Sequence, residues 1–134
     1  MVSSRTGAPA QDAGNSTVEF TLVSVLLVSL FLLVMQVGFV LHTRNVLVAS
    51  AQEGARYGAN ADRGTDDARQ RTREVVATAL SPTVADRMDY TATEVVQDGV
   101  VTMEVQVGGP LPLVFLPAGP MRLTVEGHAL EERR

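Results

Sequence analysis

The chain has no cysteine, no lysine and no tryptophan, and only two histidines. Without cysteine there is no disulfide framework and no thiolate metal site. Without lysine there is no phosphate-binding Gly-Lys motif, and His42 and His128 are too far apart to form a metal-holding pair at helical spacing. Aromatic residues are also scarce, four Phe and two Tyr, and the net charge is −4. That balance, with no basic stripe carrying interleaved aromatics, argues against nucleic acid. Arg69, Arg71 and Arg73 do cluster, but Asp66, Asp67 and Glu74 interleave them, which reads as a solvated helix face. Asp66 and Asp67 are adjacent, so on a helix they do not face each other. They read as favourable charge in a first helical turn rather than as a metal pair. Gly108-Gly109 reads as a loop, not as a nucleotide cradle. No catalytic, cofactor-binding or metal-binding residue emerges, so the expectation is a protein that is not an enzyme and uses no cofactor or small-molecule substrate.

The most telling scarcity is local. From Phe20 to Leu41, 22 residues, there is no Asp, Glu, Arg or Lys. As a helix this run reaches about 33 Å, enough to cross a hydrocarbon core of about 30 Å. Gln36 is its one strongly polar residue: it either bonds to a neighbouring helix or is simply tolerated near the outer third of the span. Directly in front stand Gly14, Asn15 and Glu19. A carboxylate at the mouth of a membrane helix is costly and needs a reason. One reason is structural: Ser16-x-x-Glu19 has the spacing of a capping box, in which each side chain accepts from the other's backbone N–H.

Before the run, residues 1–14 are polar, rich in small residues and aperiodic, and read as a disordered leader. The helix is expected over 15–60, because Val46, Leu47, Ala49, Ala51, Ala55 and Ala59 keep helical composition after Leu41 and no Pro intervenes. Small residues recur four apart, Ala51, Ala55 and Ala59 in one row and Gly54 and Gly58 in another. Such rows allow two helix backbones to approach closely; Ala also favours helix in its own right, whereas each Gly costs about 1 kcal/mol.

Residues 61–134 are expected to form a small exported domain. Asp66 to Leu80 reads as an amphipathic helix with Ala68, Thr72, Val75, Val76 and Ala79 on one face, closed by Ser81-Pro82. Period-2 alternation marks strands at Val101–Val107 and Met121–Glu126. Asp98-Gly99 marks a hairpin to a preceding strand from Tyr90 to Gln97. Gly108 to Pro120 reads as an apolar loop, with Leu111 to Leu116 as core cover or contact patch. No internal repeat or sustained heptad is visible. The fold class is therefore α+β: a long N-terminal transmembrane helix continuing into a domain of one amphipathic helix and a three-stranded antiparallel sheet. A domain this small is marginal alone and gains from docking on the long helix or on neighbouring subunits.

Three kinds of membrane segment fit the apolar run. A cleaved secretory signal is suggested by Ala49-Ser50-Ala51, but the run exceeds the usual apolar region of 7–15 residues. A plain signal anchor is the second, and a prepilin-type signal the third. Gly14-Asn15-Ser16-Thr17-Val18-Glu19-Phe20 resembles the processing site of type IV prepilin-like proteins, with Gly before the cut and Glu fifth in the mature chain. Ser16 to Val23 more narrowly resembles the start of the TadE family of tight-adherence (Flp) pilus pseudopilins. The resemblance continues in Gln36-Val37-Gly38, Arg44-Asn45-Val46-Leu47 and Ala51-Gln52-Glu53-Gly54-Ala55-Arg56-Tyr57, and loosely into the tail. Members often carry Pro early in the run, where this chain has Val25; a straighter helix follows.

The resemblance implies that a prepilin peptidase cuts between Gly14 and Asn15. It also implies that Glu19 attracts the freed amine of a neighbouring subunit. By polarity and spacing, Gln36, Ala51, Gly54, Ala55 and Gly58 are the candidates for packing between helices. The implied partners are membrane lipid, the peptidase, other pilin-like subunits and a pilus assembly platform. Arg5 before the span and Arg44 and Arg56 after it weigh against an inside leader, whereas the resemblance places the leader in the cytoplasm and the domain outside. The rival reading is a single-pass anchored extracytoplasmic binding domain that enters no filament.

Overall fold

The computed structural model describes residues 10–110 and 122–130. The chain forms α1 (Ala10–Gly58), α2 (Thr65–Ala79), a short α3 (Pro82–Ala85), β1 (Asp89–Gln97), β2 (Val100–Pro110) and β3 (Arg122–Leu130). It is an α+β protein whose long apolar helix leads into a helix and a three-stranded antiparallel sheet, ordered β1-β2-β3.

Helix α1 begins before the expected start, so Ala10 to Gly14 extend it rather than forming an irregular leader. Propagating a long existing helix costs far less than nucleating one. Ala10 and Ala13 favour helix, and Asp12 lies close to the positive end of the helix dipole. At its far end α1 stops at Gly58, two residues before the expected Asn60. Arg63 then stacks its guanidinium 3.5 Å from the centre of the Tyr57 ring, pinning the turn into α2.

Helix α2 starts after Gly64, whose N–H donates to the Asp67 carboxylate at 3.1 Å. Its arginines are paired as the interleaved charges suggest: Arg69 with Asp66, Arg71 with Glu53 at 3.3 Å, and Arg73 with Asp86 at 2.5 Å. These are exposed or half-exposed pairs and add little stability individually. Ala68, Thr72 and Val76 form its buried face, while Val75 is half-covered and Ala79 exposed. Ser81-Pro82 ends α2 and also starts α3, a helix not read from the sequence: Ser81 Oγ accepts from the Val84 N–H at 3.2 Å and Pro82 takes the first position, where its missing N–H costs nothing.

Asp98 and Gly99 both have positive φ, 53° and 80°. These values give the tight turn that matches strand twist in a two-residue hairpin. The register pairs Tyr90 with Val107, Ala92 with Val105 and Met103 with Ala129. One point is corrected: Gly108 and Gly109 belong to β2, which runs on to Pro110. Gly109 is there because Met88 lies against it; a Cβ would sit 2.2 Å from Met88 Sδ. The expected strand start at Met121 and the apolar stretch Leu111 to Leu116 lie outside the described residues.

The inner sheet face presents Met103, Val105, Val107 and Val125 to Leu47, Ala51, Ala55 and Ala59 of α1 and to Ala68 and Val76 of α2. The outer face is wet and pairs Gln106 with Glu126 at 3.0 Å and Arg122 with Asp89 at 2.9 Å.

Tyr90 closes the seam between β1 and α3, its OH donating to the Ala85 carbonyl at 3.0 Å. Partial burial pushes its pKa up to about 12; Arg73 opposes the shift and Asp86 adds to it. The phenol of an unfolded chain ionises near 10. The contribution of Tyr90 to stability is therefore fully present below about pH 10 and lost as pH rises through about 12. An ultraviolet titration of the Tyr57→Phe variant, where Tyr90 is the remaining tyrosine, is expected to show ionisation near 12; a midpoint near 10 would mean the ring is not held.

Candidate functional site: the exposed half of the long helix

Helix α1 divides into two halves with different surroundings. From Phe20 to Leu41 nearly every large apolar side chain is bare, Phe20 at 73% exposure and Leu26 at 68% among them. From Thr43 onward one face is buried in the domain. This is the one helix, among the described residues, long and apolar enough to cross a membrane. Among the described residues most of its apolar half is uncovered, unlike the mostly buried core helix of a soluble protein. It fits a single-pass membrane anchor, with the domain built directly on its extension.

Two hydroxyls of the bare half are made compatible with lipid by the helix itself. Thr21 Oγ1 donates to the Thr17 carbonyl at 2.8 Å and Ser29 Oγ to the Val25 carbonyl at 2.7 Å. Each hydroxyl thus satisfies itself without a partner helix. At the mouth, Asn15, Ser16 and Glu19 are exposed. Gly14 and Asn15 lie within the continuous helix.

That continuity overturns the capping-box reading for the intact chain. In a helix starting at Ala10, the Ser16 N–H is directed to the Asp12 carbonyl and the Glu19 N–H to the Asn15 carbonyl, four residues back. The two donors that the box would satisfy are already in use. Ser16 is an interior helical residue, and Glu19 is a solvent-exposed carboxylate two and a half turns from the helix start.

The small residues expected between helices are occupied inside the chain. Ala51 and Ala55 are fully buried in the domain core. A Cβ on Gly54 would lie 1.8 Å from Thr72 Oγ1 and 2.8 Å from the Ala68 carbonyl, and one on Gly58 would lie 2.5 Å from Ala68 Cβ. These two glycines let α2 lie directly on α1. The close neighbours of all four are residues of the same chain. Gln36 is also covered, at 6% exposure, despite lying within the apolar run.

Two features escaped the sequence. Gln36, Thr43 and Ser50 are all buried and lie seven residues apart; with Leu47 and Gly54 they form a seam of four-three spacing. A heptad sought in apolar residues misses it, because its recurring members are polar. The other is Gly127 in β3, where a Cβ would lie 2.4 Å from the Gln52 nitrogen and 2.5 Å from the Ala51 carbonyl carbon. There the backbone of the strand meets the backbone of α1. A lone glycine in an alternating strand is the available sequence signal.

Beyond the helix, an open groove between α2 and β1 is lined by Arg69, Arg73, Asp66, Asp89 and Tyr90. Arg73 has its pKa raised by the hydrogen bond and charge of Asp86, and Arg69 is paired with Asp66, so both arginines of the groove already have carboxylate partners. Among the described residues there is no cluster of three or more His, Asp or Glu able to hold a metal ion.

No curated protein and no solved structure matches the chain. Residues 14–56 match the family model described as TadE-like protein. The match opens at Gly14, spans the bare half of α1 and ends at Arg56, just short of the end of the helix; over this segment the chain is similar to the TadE-like family.

Proposed function

We propose that the protein is a pseudopilin or minor pilin-like subunit of a Flp (tight adherence) pilus or a related secretion machine, assembling through its N-terminal helix. The family is pilus-associated and carries an N-terminal membrane helix. The observation that carries the finer reading is the matched segment itself: a bare, membrane-length helix half preceded by Gly14, Asn15 and Glu19. A prepilin peptidase cuts between Gly14 and Asn15, where a residue without a side chain lets another backbone approach closely. Glu19 of one subunit then attracts the new Asn15 ammonium of the next. In a bundle of low dielectric that pairing offsets two desolvation costs, so it acts as a register device more than as a source of stability. The role is structural, with prepilin peptidase, sister subunits and an assembly platform as protein partners.

The rows at Ala51, Gly54, Ala55 and Gly58 lend no weight to assembly, since the chain's own α2 and β3 fill them. The contact surface is instead the bare face of Phe20 to Leu41. The rival, an anchored binding domain outside any filament, needs neither Gly14 nor Glu19.

The test is the N-terminal sequence and intact mass of the protein from native membranes. A chain beginning at Asn15 is expected. One beginning at Met1 would favour the anchored domain, and one beginning at Gln52 would make the protein a secreted soluble domain. Protease added to intact cells or spheroplasts is expected to remove residues 61–134, which fixes the orientation.

A further inference from the structure

We propose that cutting the chain at Gly14–Asn15 moves the start of the long helix to Ser16, and that Ser16 and Glu19 then form a capping box absent from the uncut protein. The inference rests on the processing proposed above. In the uncut helix the carbonyls of residues 11–14 receive the N–H groups of residues 15–18. The cut removes all four carbonyls at once. Asn15 becomes a charged amine, and the N–H groups of residues 16–18 lose their helical acceptors beside the apolar run. An unpaired N–H near lipid is costly, so the new terminus needs acceptors.

Ser16 and Glu19 are the residues placed to supply them. Both side chains are exposed, and neither is tied up in another hydrogen bond among the described residues. With Ser16 as the N-cap, Glu19 falls at the third helical position. Asn15, now terminal, leaves the helix; Ser16 Oγ then accepts from the Glu19 N–H in place of the Asn15 carbonyl, and the Glu19 carboxylate accepts from the Ser16 N–H. The carboxylate also lies against the positive end of the shortened dipole. Processing therefore does more than release a leader. It gives Glu19 a fixed position at the helix mouth from which it can meet a neighbour's amine, whereas in the uncut chain it lies on the side of a continuing helix.

The effect of Ser16→Ala should change direction with processing. In the uncut chain alanine favours the helix interior, so amide hydrogen exchange at Thr17 to Phe20 should be unchanged or slower. In the chain beginning at Asn15, loss of the cap should speed exchange at the Glu19 and Phe20 amides by roughly fivefold. Glu19→Gln should retain most of the protection, since glutamine also serves at this position, and Glu19→Ala should lose it. Both lengths are to be prepared as full chains in detergent micelles, the shorter by removing a tag placed directly before Asn15. Equal acceleration by Ser16→Ala in both lengths would overturn the proposal. So would acceleration by Asn15→Ala with none from Ser16→Ala, because Asn15 would then be the cap. Native protein found to start at Met1 would defeat the processing reading instead, a result the exchange data cannot mimic.

Discussion

Gly127→Val is expected to detach the sheet from the long helix. The added side chain has nowhere to go: its first carbon would lie 2.4 Å from the Gln52 nitrogen, 2.5 Å from the Ala51 carbonyl carbon and 2.8 Å from the Ala51 oxygen. These are main-chain atoms of a helix interior, which cannot rotate aside as a side chain would. Overpacking of ordinary cores costs about 1–3 kcal/mol, and a clash with backbone on one side and a paired strand on the other belongs at or above the top of that range. A domain of this size has little to spare, so about 3 kcal/mol is a large part of its stability. The expected result is loss of the protease-resistant domain and of a cooperative thermal transition in micelles. Gly38→Ala is the control: nothing lies within 4 Å of its added Cβ, and it should leave the domain intact. A Gly127→Val protein that melts like the parent would mean that α1 and β3 are not packed backbone to backbone.

Gly14→Leu and Glu19→Ala are expected to fail at different steps. Leucine at position 14 puts a branched side chain where the peptidase must approach the backbone, so the protein should accumulate at precursor mass. Glu19→Ala should be cut normally yet fail to assemble. Leaving a buried ammonium without its carboxylate costs about 3 kcal/mol or more, which is about a hundredfold in incorporation. Immunoblots of membranes and of sheared filaments read both quantities. Normal size together with normal incorporation for the two variants would sink the pilin-like reading. Normal processing of Gly14→Leu alone would move the cut elsewhere.

Much of this architecture is legible from local patterns, because local physics decides it. The 22-residue uncharged run specifies a membrane-length helix by length and solvent preference alone. Alternation in Val101–Val107 specifies a half-buried strand because successive side chains point to opposite faces. Asp98-Gly99 specifies its turn because the turn needs positive φ at both residues. The α2 face at Ala68, Thr72 and Val76 follows from helical period. Where the reading went wrong, the deciding neighbour was not local. Ser16 looked like a cap until α1 proved to start at Ala10, since spacing says nothing about which upstream carbonyls are already present. Gly108-Gly109 looked like a loop because the residue that requires Gly109, Met88, is distant in sequence.

The sequence by itself determined that this chain has one membrane-length helix, a mixed small domain after it, and a Gly-Asn…Glu signature at the helix mouth. Those are properties of composition, period and spacing. Only the tertiary structure decided what the small residues of α1 are for. Ala51, Gly54, Ala55 and Gly58 allow close approach to any surface, and a pattern of small side chains carries no record of which surface comes. The fold brings α2 against Gly54 and Gly58, and Gly127 against Ala51. It thereby fuses the domain to the helix and leaves most of the apolar half of α1 bare, a membrane-length surface that the described fold does not cover.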